Sequence, residues 1–445
     1  MRRANLIAAS SLLALTIVAL VAANSRGTSA SAAARRGRPQ SAPAANDFRV
    51  AISVSPFVEE LFKNPIVYTD GTIAAKNPEE LQKLFVAHGA TEVYARIATT
   101  QHYSVGSGDH SMDRGLERAR MAAALNLPFN PELGLFNIYG DVRCQPAPDF
   151  TDYPEIHLPG AWNTLTLAQM VPALRAYGAA AAKQILETGA KVRLWDVGNE
   201  TEFGFAGVAI QPMPGACNDT AGGTNWYKPP DAIDAAIGKM TAQKLLRMST
   251  DERLAWLRTH LWPHEAKMFT AVADGIRSVH PQARFSTHVS VESSMIPAQT
   301  VAFFAAMREG GFDAAECGAS FYPTSSNSPS DRMQAIKDTA TAVQRELQRP
   351  LFIAEYGYPA AEMTIVFKWN EAAKGYPISP VGQHDFLRDL TAWGAQTRAI
   401  SGIRPWAPDL AAPGWGPMSF FTHTQGQGRI LSARPALDAI AEGLR

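Results

Sequence analysis

From residue 48 onward, short apolar runs alternate with longer stretches in which apolar residues recur every three or four positions, the rhythm of repeated strand and helix units. Eight runs read as strands, at 48–54, 91–98, 133–139, 191–197, 284–291, 315–321, 350–355 and 400–406. Helix-period segments lie between them at 78–88, 112–125, 167–188, 265–280, 298–309, 330–347 and 383–396. Gly189 follows one of these, His88 and Gly89 end another, and Pro281 stops a third, all of them helix C-terminal signals. Strands that alternate with helices pair in parallel, so the pattern predicts an α/β chain folded as a (β/α)8 barrel, one domain spanning 48–445. The longest connection, from 201 to about 264, is an insertion after the fourth strand, on the face where such barrels build binding walls. Its Trp226 and Tyr227 are either wall residues or the insertion's own core.

Two strands end in a glutamate: Trp195-Asp196-Val197-Gly198-Asn199-Glu200 and Ile353-Ala354-Glu355-Tyr356-Gly357-Tyr358-Pro359. In a parallel barrel all strand tips open on one face, so Glu200 and Glu355 can meet over a ligand. A pair of carboxyls roughly 5 to 5.5 Å apart can split a glycosidic bond, one as proton donor and the other as nucleophile. A single glutamate at a strand end serves equally well beside the N-terminus of the next helix. Asn199 adds an amide suited to a sugar hydroxyl. Alternation along 91–98 sets Tyr94, Arg96 and Ala98 on one side, so Arg96 offers a cation to an ionised carboxylate, or else a structural salt bridge.

These segments, with Gly318-Ala319-Ser320-Phe321-Tyr322-Pro323, a stretch from Asn163 to Tyr177 and a tail from Trp406 to Leu437, resemble glycoside hydrolase family 53, the endo-β-1,4-galactanases of clan A. The resemblance implies a retaining hydrolase of a β-linked galactan, with Glu200 as acid/base and Glu355 as nucleophile. It further implies that Arg96 holds the nucleophile and that Trp406 is a sugar platform; Tyr322 either donates to the nucleophile or only walls the site, and His288 either polarises or positions Glu200 or is a core histidine. Asn137 and Trp415 are candidate wall or hydroxyl-binding residues. Two positions differ from the family pattern. Ile138 stands where the family has a histidine on the third strand, and Pro323-Thr324-Ser325-Ser326-Asn327 replaces a motif with a tryptophan. The alternatives are the same chemistry on another β-glycan or glycoconjugate, and a non-catalytic surface barrel that binds carbohydrate.

Composition adds the compartment. Arg2 and Arg3, an apolar segment from about Leu6 to Ala23 and small residues around Ala30 predict a signal peptide or membrane anchor over 1–32. The Ser-, Ala-, Arg- and Pro-rich 33–47 is a flexible linker, so the catalytic part is exported and either secreted, periplasmic or tethered at the cell surface. With 41 basic and 41 acidic residues and no basic block among aromatics, the chain lacks the signature of a nucleic-acid binder and suits an uncharged saccharide. No cofactor or metal motif is present among the ten scattered histidines. Of three cysteines, Cys144 and Cys217 fall in loops after strands, where an exported protein can bridge them, while Cys317 lies inside an apolar strand.

Overall fold

The computed structural model describes residues 47–103, 108–142, 144–212, 217, 229–325, 329, 331–364 and 368–445. The expected leader, the linker up to residue 46, Trp226, Tyr227, Ser326 and Asn327 lie outside them. Eight strands form the path of one parallel sheet: β1 (Arg49–Val50), β2 (Val93–Ile97), β3 (Pro128–Leu133), β4 (Trp195–Val197), β5 (Phe285–Val289), β6 (Glu316–Phe321), β7 (Leu351–Tyr356) and β8 (Ile400–Pro405), and the two-residue strand Lys191–Val192 also pairs with β3. Their order is β1-β8-β7-β6-β5-β4-β3-β2. Bonds from Thr91 N to Val50 O and from Tyr94 N to Ser53 Oγ, both 2.9 Å, join the first strand to the last and curl the sheet into a (β/α)8 barrel.

Helices α1 (Pro78–Ala87), α2 (Met112–Ala124), α3 (Leu167–Glu187), α4 (Trp262–Val279), α5 (Pro297–Glu309), α6 (Arg332–Leu347) and α7 (Pro380–Thr397) follow the first seven strands, and the short α8 (Ala439–Gly443) follows the eighth. Local chemistry sets their ends. At the start of α1, Asn77 accepts a bond from Glu80 N at 2.9 Å while Pro78 supplies the first helical residue. Ser111, Asp331 and Ser379 cap α2, α6 and α7 in the same way. The apolar faces of these helices and the outward residues of the strands make the main core.

The third strand differs from expectation. It runs over Pro128–Leu133, ahead of the expected 133–139, so Ile138 lies in the following loop and not on a strand. Two prolines and the polar Asn130 and Glu132 disguise it, since a central strand rarely carries proline. The physical reason is that the barrel interior here is ionic. Arg49 donates to Glu92 (2.7 Å), Glu316 (2.7 Å) and Asn130 (2.8 Å), and Arg404 donates to Asn130 (3.2 Å), Asp196 (2.8 Å) and Glu132 (2.6 Å). All of these groups are buried. Asn130 and Glu132 therefore point inward to partners on other strands, which no local pattern reveals.

The insertion after β4 contains a small hairpin, Gly204–Phe205 with Val208–Ala209, and helical segments at Ala242–Arg247 and Thr250–His260. A second sheet joins the two ends of the fold. Phe421–Thr424 and Gln427–Ala433, from the tail after β8, pair with Val67–Thr69 and Ala74–Ala75, from the loop after β1. Cys317, in β6, is buried and unbridged, as its apolar setting predicts.

Candidate active site

Glu200 is presented by a tight turn at the tip of β4. Gly198 N bonds to Leu133 O at 2.7 Å and Thr201 N to His288 O at 3.1 Å, so the turn is tied to both neighbouring strands. Gly198 takes φ +78°, and a Cβ there would sit 2.4 Å from Thr201 Cγ2, so only glycine fits. Glu200 itself is left-handed at φ +53°, a modestly strained conformation for a side chain of this size. Its Oε2 accepts a bond from Val142 N at 3.1 Å. The loop that supplies Val142 is fixed to the same turn: Gln145 Nε2 donates to Asn199 O at 2.6 Å, and a disulfide joins Cys144 to Cys217. Burial, then the charges of Glu355, Asp141 and Glu202, push the Glu200 carboxyl well above the usual range.

Glu355 reaches the interior through an irregularity. Phe352 and Ala354 face inward, with Phe352 under the Arg49 guanidinium at 4.2 Å, so strict alternation would turn the next residue outward. Pairing with β6 slips at this point, from Ala319 with Ile353 to Ser320 with Glu355, and the extra residue returns Glu355 to the barrel mouth. There Arg96 Nη2 donates to its Oε1, and Tyr322 Oη donates to its Oε2 at 2.6 Å. Burial and the neighbouring Glu355 charge push the Tyr322 phenol well up, so it remains a neutral donor.

Arg96 is held in turn. Its Nε donates to Glu132 and its Nη2 also to Asn199 Oδ1 at 2.8 Å. Burial opposes ionisation of Glu132, but Arg96 and Arg404 outweigh it and hold that carboxyl at about 2. Asn199 Nδ2 donates to Gly140 O at 2.7 Å, so this amide braces the site from both ends. Sequence reasoning singled out Glu200, Glu355, Arg96, Asn199 and Tyr322, and the fold brings all five together. It missed Glu132 and Arg404. The available signal was three arginines, Arg49, Arg96 and Arg404, on inward positions of apolar strands, each of which demands buried carboxylates.

The remaining candidates fall at different distances from this centre. His288 is buried beside Glu132, its Nδ1 3.9 Å from Oε2, and burial lowers its pKa to about 3, so the ring is neutral. That places it against the carboxylate that anchors Arg96. Trp406, half-buried at the tip of β8, packs edge-on against Trp415 at 4.8 Å and Phe57 at 5.9 Å, and with Arg96 lines a cavity that also exposes Ser53 and His110. Trp415 is buried behind it. Asn137 lies in the loop after β3, where its Oδ1 accepts from Ile138 N at 2.8 Å and its carbonyl accepts from Thr100 N at 3.1 Å. His110 was also unforeseen. It is buried beside Tyr139, with ring centroids 5.7 Å apart.

Comparison with known proteins agrees with this fold. The model of glycosyl hydrolase family 53 matches residues 147–428. A family 53 catalytic domain from Ignisphaera aggregans superposes with a TM-score of 0.65 at 17% identity, over 91% of this chain and 98% of that one. A fungal β-1,4-galactanase gives 0.62 at 16% identity, over 88% and 99%. No curated protein matches significantly.

Proposed function

Because the chain belongs to glycosyl hydrolase family 53 and is a glycoside hydrolase, we propose that it cleaves a β-1,4-linked galactan with retention, Glu200 acting as acid/base and Glu355 as nucleophile. One arrangement carries the reading: a carboxylate clasped by Arg96 and Tyr322 stands near a second, buried carboxyl, whose pKa is raised by burial and by the charge of the first. An ionised carboxylate attacks the anomeric carbon while the protonated one gives its proton to the departing oxygen; in the second step the latter, now ionised, takes a proton from water, which displaces the first carboxylate from the sugar. The Arg96 and Tyr322 bonds orient the attacking oxygen and release it as charge passes to the sugar. Trp406 offers an indole face to the apolar side of a pyranose.

Glu355→Ala should lower kcat on β-1,4-galactan by several orders of magnitude with the melting temperature little changed; near-normal turnover would remove Glu355 from the mechanism. Glu200→Ala should lose most activity on galactan but retain formation of the glycosyl-enzyme from aryl β-glycosides with good leaving groups, which need no proton. In the wild type the raised Glu200 pKa places its loss of activity on the alkaline side: kcat/KM falls as pH rises through that value. Anomeric configuration of the first product, read by NMR, tests retention.

A second reading keeps this chemistry and changes the sugar. Thr324 and Ser325, buried at the tip of β6, stand where the family pattern has an aromatic motif. Cleavage of another β-glycan but not β-1,4-galactotetraose would favour it. The leader expected from the sequence and the Cys144–Cys217 disulfide together support export to an oxidising compartment.

A further inference from the structure

The loop between β7 and α7 delivers an aromatic residue to the site that nothing above has used. Trp369 lies 4.9 Å, centroid to centroid, from Tyr322, the donor to Glu355. Tyr322 in turn meets Trp415 at 6.1 Å, Trp415 meets Trp406 at 4.8 Å, and Trp406 meets Phe57 at 5.9 Å. The result is a continuous aromatic arc past the carboxylate. Its middle, Tyr322 and Trp415, is buried, whereas the ends near Trp369 and Trp406 keep part of their indole surface in solvent.

The residues that follow Trp369 are tied down. The side chain of the next residue, Asn370, accepts from Met363 N at 2.8 Å and donates to Met363 O at 2.9 Å, closing the loop on itself. Glu371 N then bonds to Thr324 O at 3.3 Å, and Arg332 donates to Glu371 Oε2 at 2.5 Å and Ala372 O at 3.2 Å. Residues 371 and 372 are thereby pinned beside Thr324 and Ser325, two small buried residues after β6. A partly exposed indole on a pinned loop loses little freedom when a flat apolar surface lands on it.

We propose that Trp369 is a stacking site for a sugar ring beyond the one at the scissile bond, so that the enzyme selects β-linked oligosaccharides over single terminal sugars. This rests on the glycosidase reading above, and it assigns the second half of the substrate platform to a loop after β7. Trp406 and Trp369 then carry two rings of one chain on either side of Tyr322.

The test is hydrolysis of β-1,4-galacto-oligosaccharides, dimer to hexamer, by wild type, Trp369→Ala and Trp369→Phe. Loss of one indole stack should lower kcat/KM about tenfold on the longer substrates, through KM, and leave the dimer unchanged. Trp369→Phe should lose less in the same length-dependent way, and it decides the matter if the alanine variant melts far below wild type. An equal loss at every length through kcat would mean that Trp369 only props Tyr322, and no loss at any length would mean that it meets no sugar; either overturns the proposal. If wild type leaves the galacto series intact, the galactan reading fails, and the same comparison on whichever β-1,4-linked gluco-, manno- or xylo-oligosaccharides it cleaves decides Trp369 independently.

Discussion

Glu132 sits between two guanidinium groups, Arg96 on one oxygen and Arg404 on the other, with no solvent contact. Replacing it by Gln leaves two buried cations short of a carboxylate, a change that typically costs about 3–5 kcal/mol. Glu132→Gln should therefore melt well below wild type at neutral pH. The sign of its pH dependence follows from the depressed value near 2: the stabilisation is full above the ordinary glutamate range and fades as pH falls toward 2. The gap between the two melting temperatures should narrow on acidification, and a constant gap would show that the charge of Glu132 is not what stabilises. Read from sequence, Arg96 was visible because it falls on a strand tip before a loop. Glu132 was not, because its partners are 36 and 272 residues away.

At the scale of elements, two local irregularities aim the carboxyls. The β7 slip turns Glu355 inward, and the Gly198 turn lifts Glu200 off β4. Gly198→Ala should cost roughly 1–2 kcal/mol for the left-handed backbone alone. It should also lower kcat by about a hundredfold as the clash with Thr201 shifts Glu200 by an ångström or so. Gly189→Ala is the control, since that residue has φ +82° with open space around it, far from the site. It should lose stability and keep full kcat. Helices α1 to α7 were legible to within three residues at either end because caps and amphipathic period are local properties of the chain. Strands β5, β6 and β7 were equally clear as apolar runs. The third strand was not, since an inward face of Asn130 and Glu132 breaks the apolar pattern on which the reading depends.

For the whole molecule, segments from opposite ends of the sequence are joined outside the barrel. The four-stranded sheet joins 67–75 to 421–433, and His88 clamps the same join, with Nε2 2.9 Å from Asp70 Oδ2 and Nδ1 2.6 Å from Asp438 Oδ1. Burial works against the charged ring, but bonds to Asp70 and Asp438 prevail and raise the His88 pKa. A raised value means that the clamp is fully stabilising below about 6.5, the free-histidine value, and is lost as pH rises through the folded one. The melting temperature of wild type should thus fall toward that of His88→Ala as pH rises past neutrality. Parallel curves for the two proteins would contradict the clamp. Sequence by itself determined the βα rhythm, the helix ends, both catalytic candidates and Arg96, because each is written in neighbouring residues or in a motif. Tertiary structure alone decided the course of β3, the inward turn of Glu355, the ionic interior and the aromatic arc ending at Trp369. Those depend on which strands become neighbours when the sheet closes, and a buried charge or an exposed ring acquires its meaning only from partners that the chain brings in from afar.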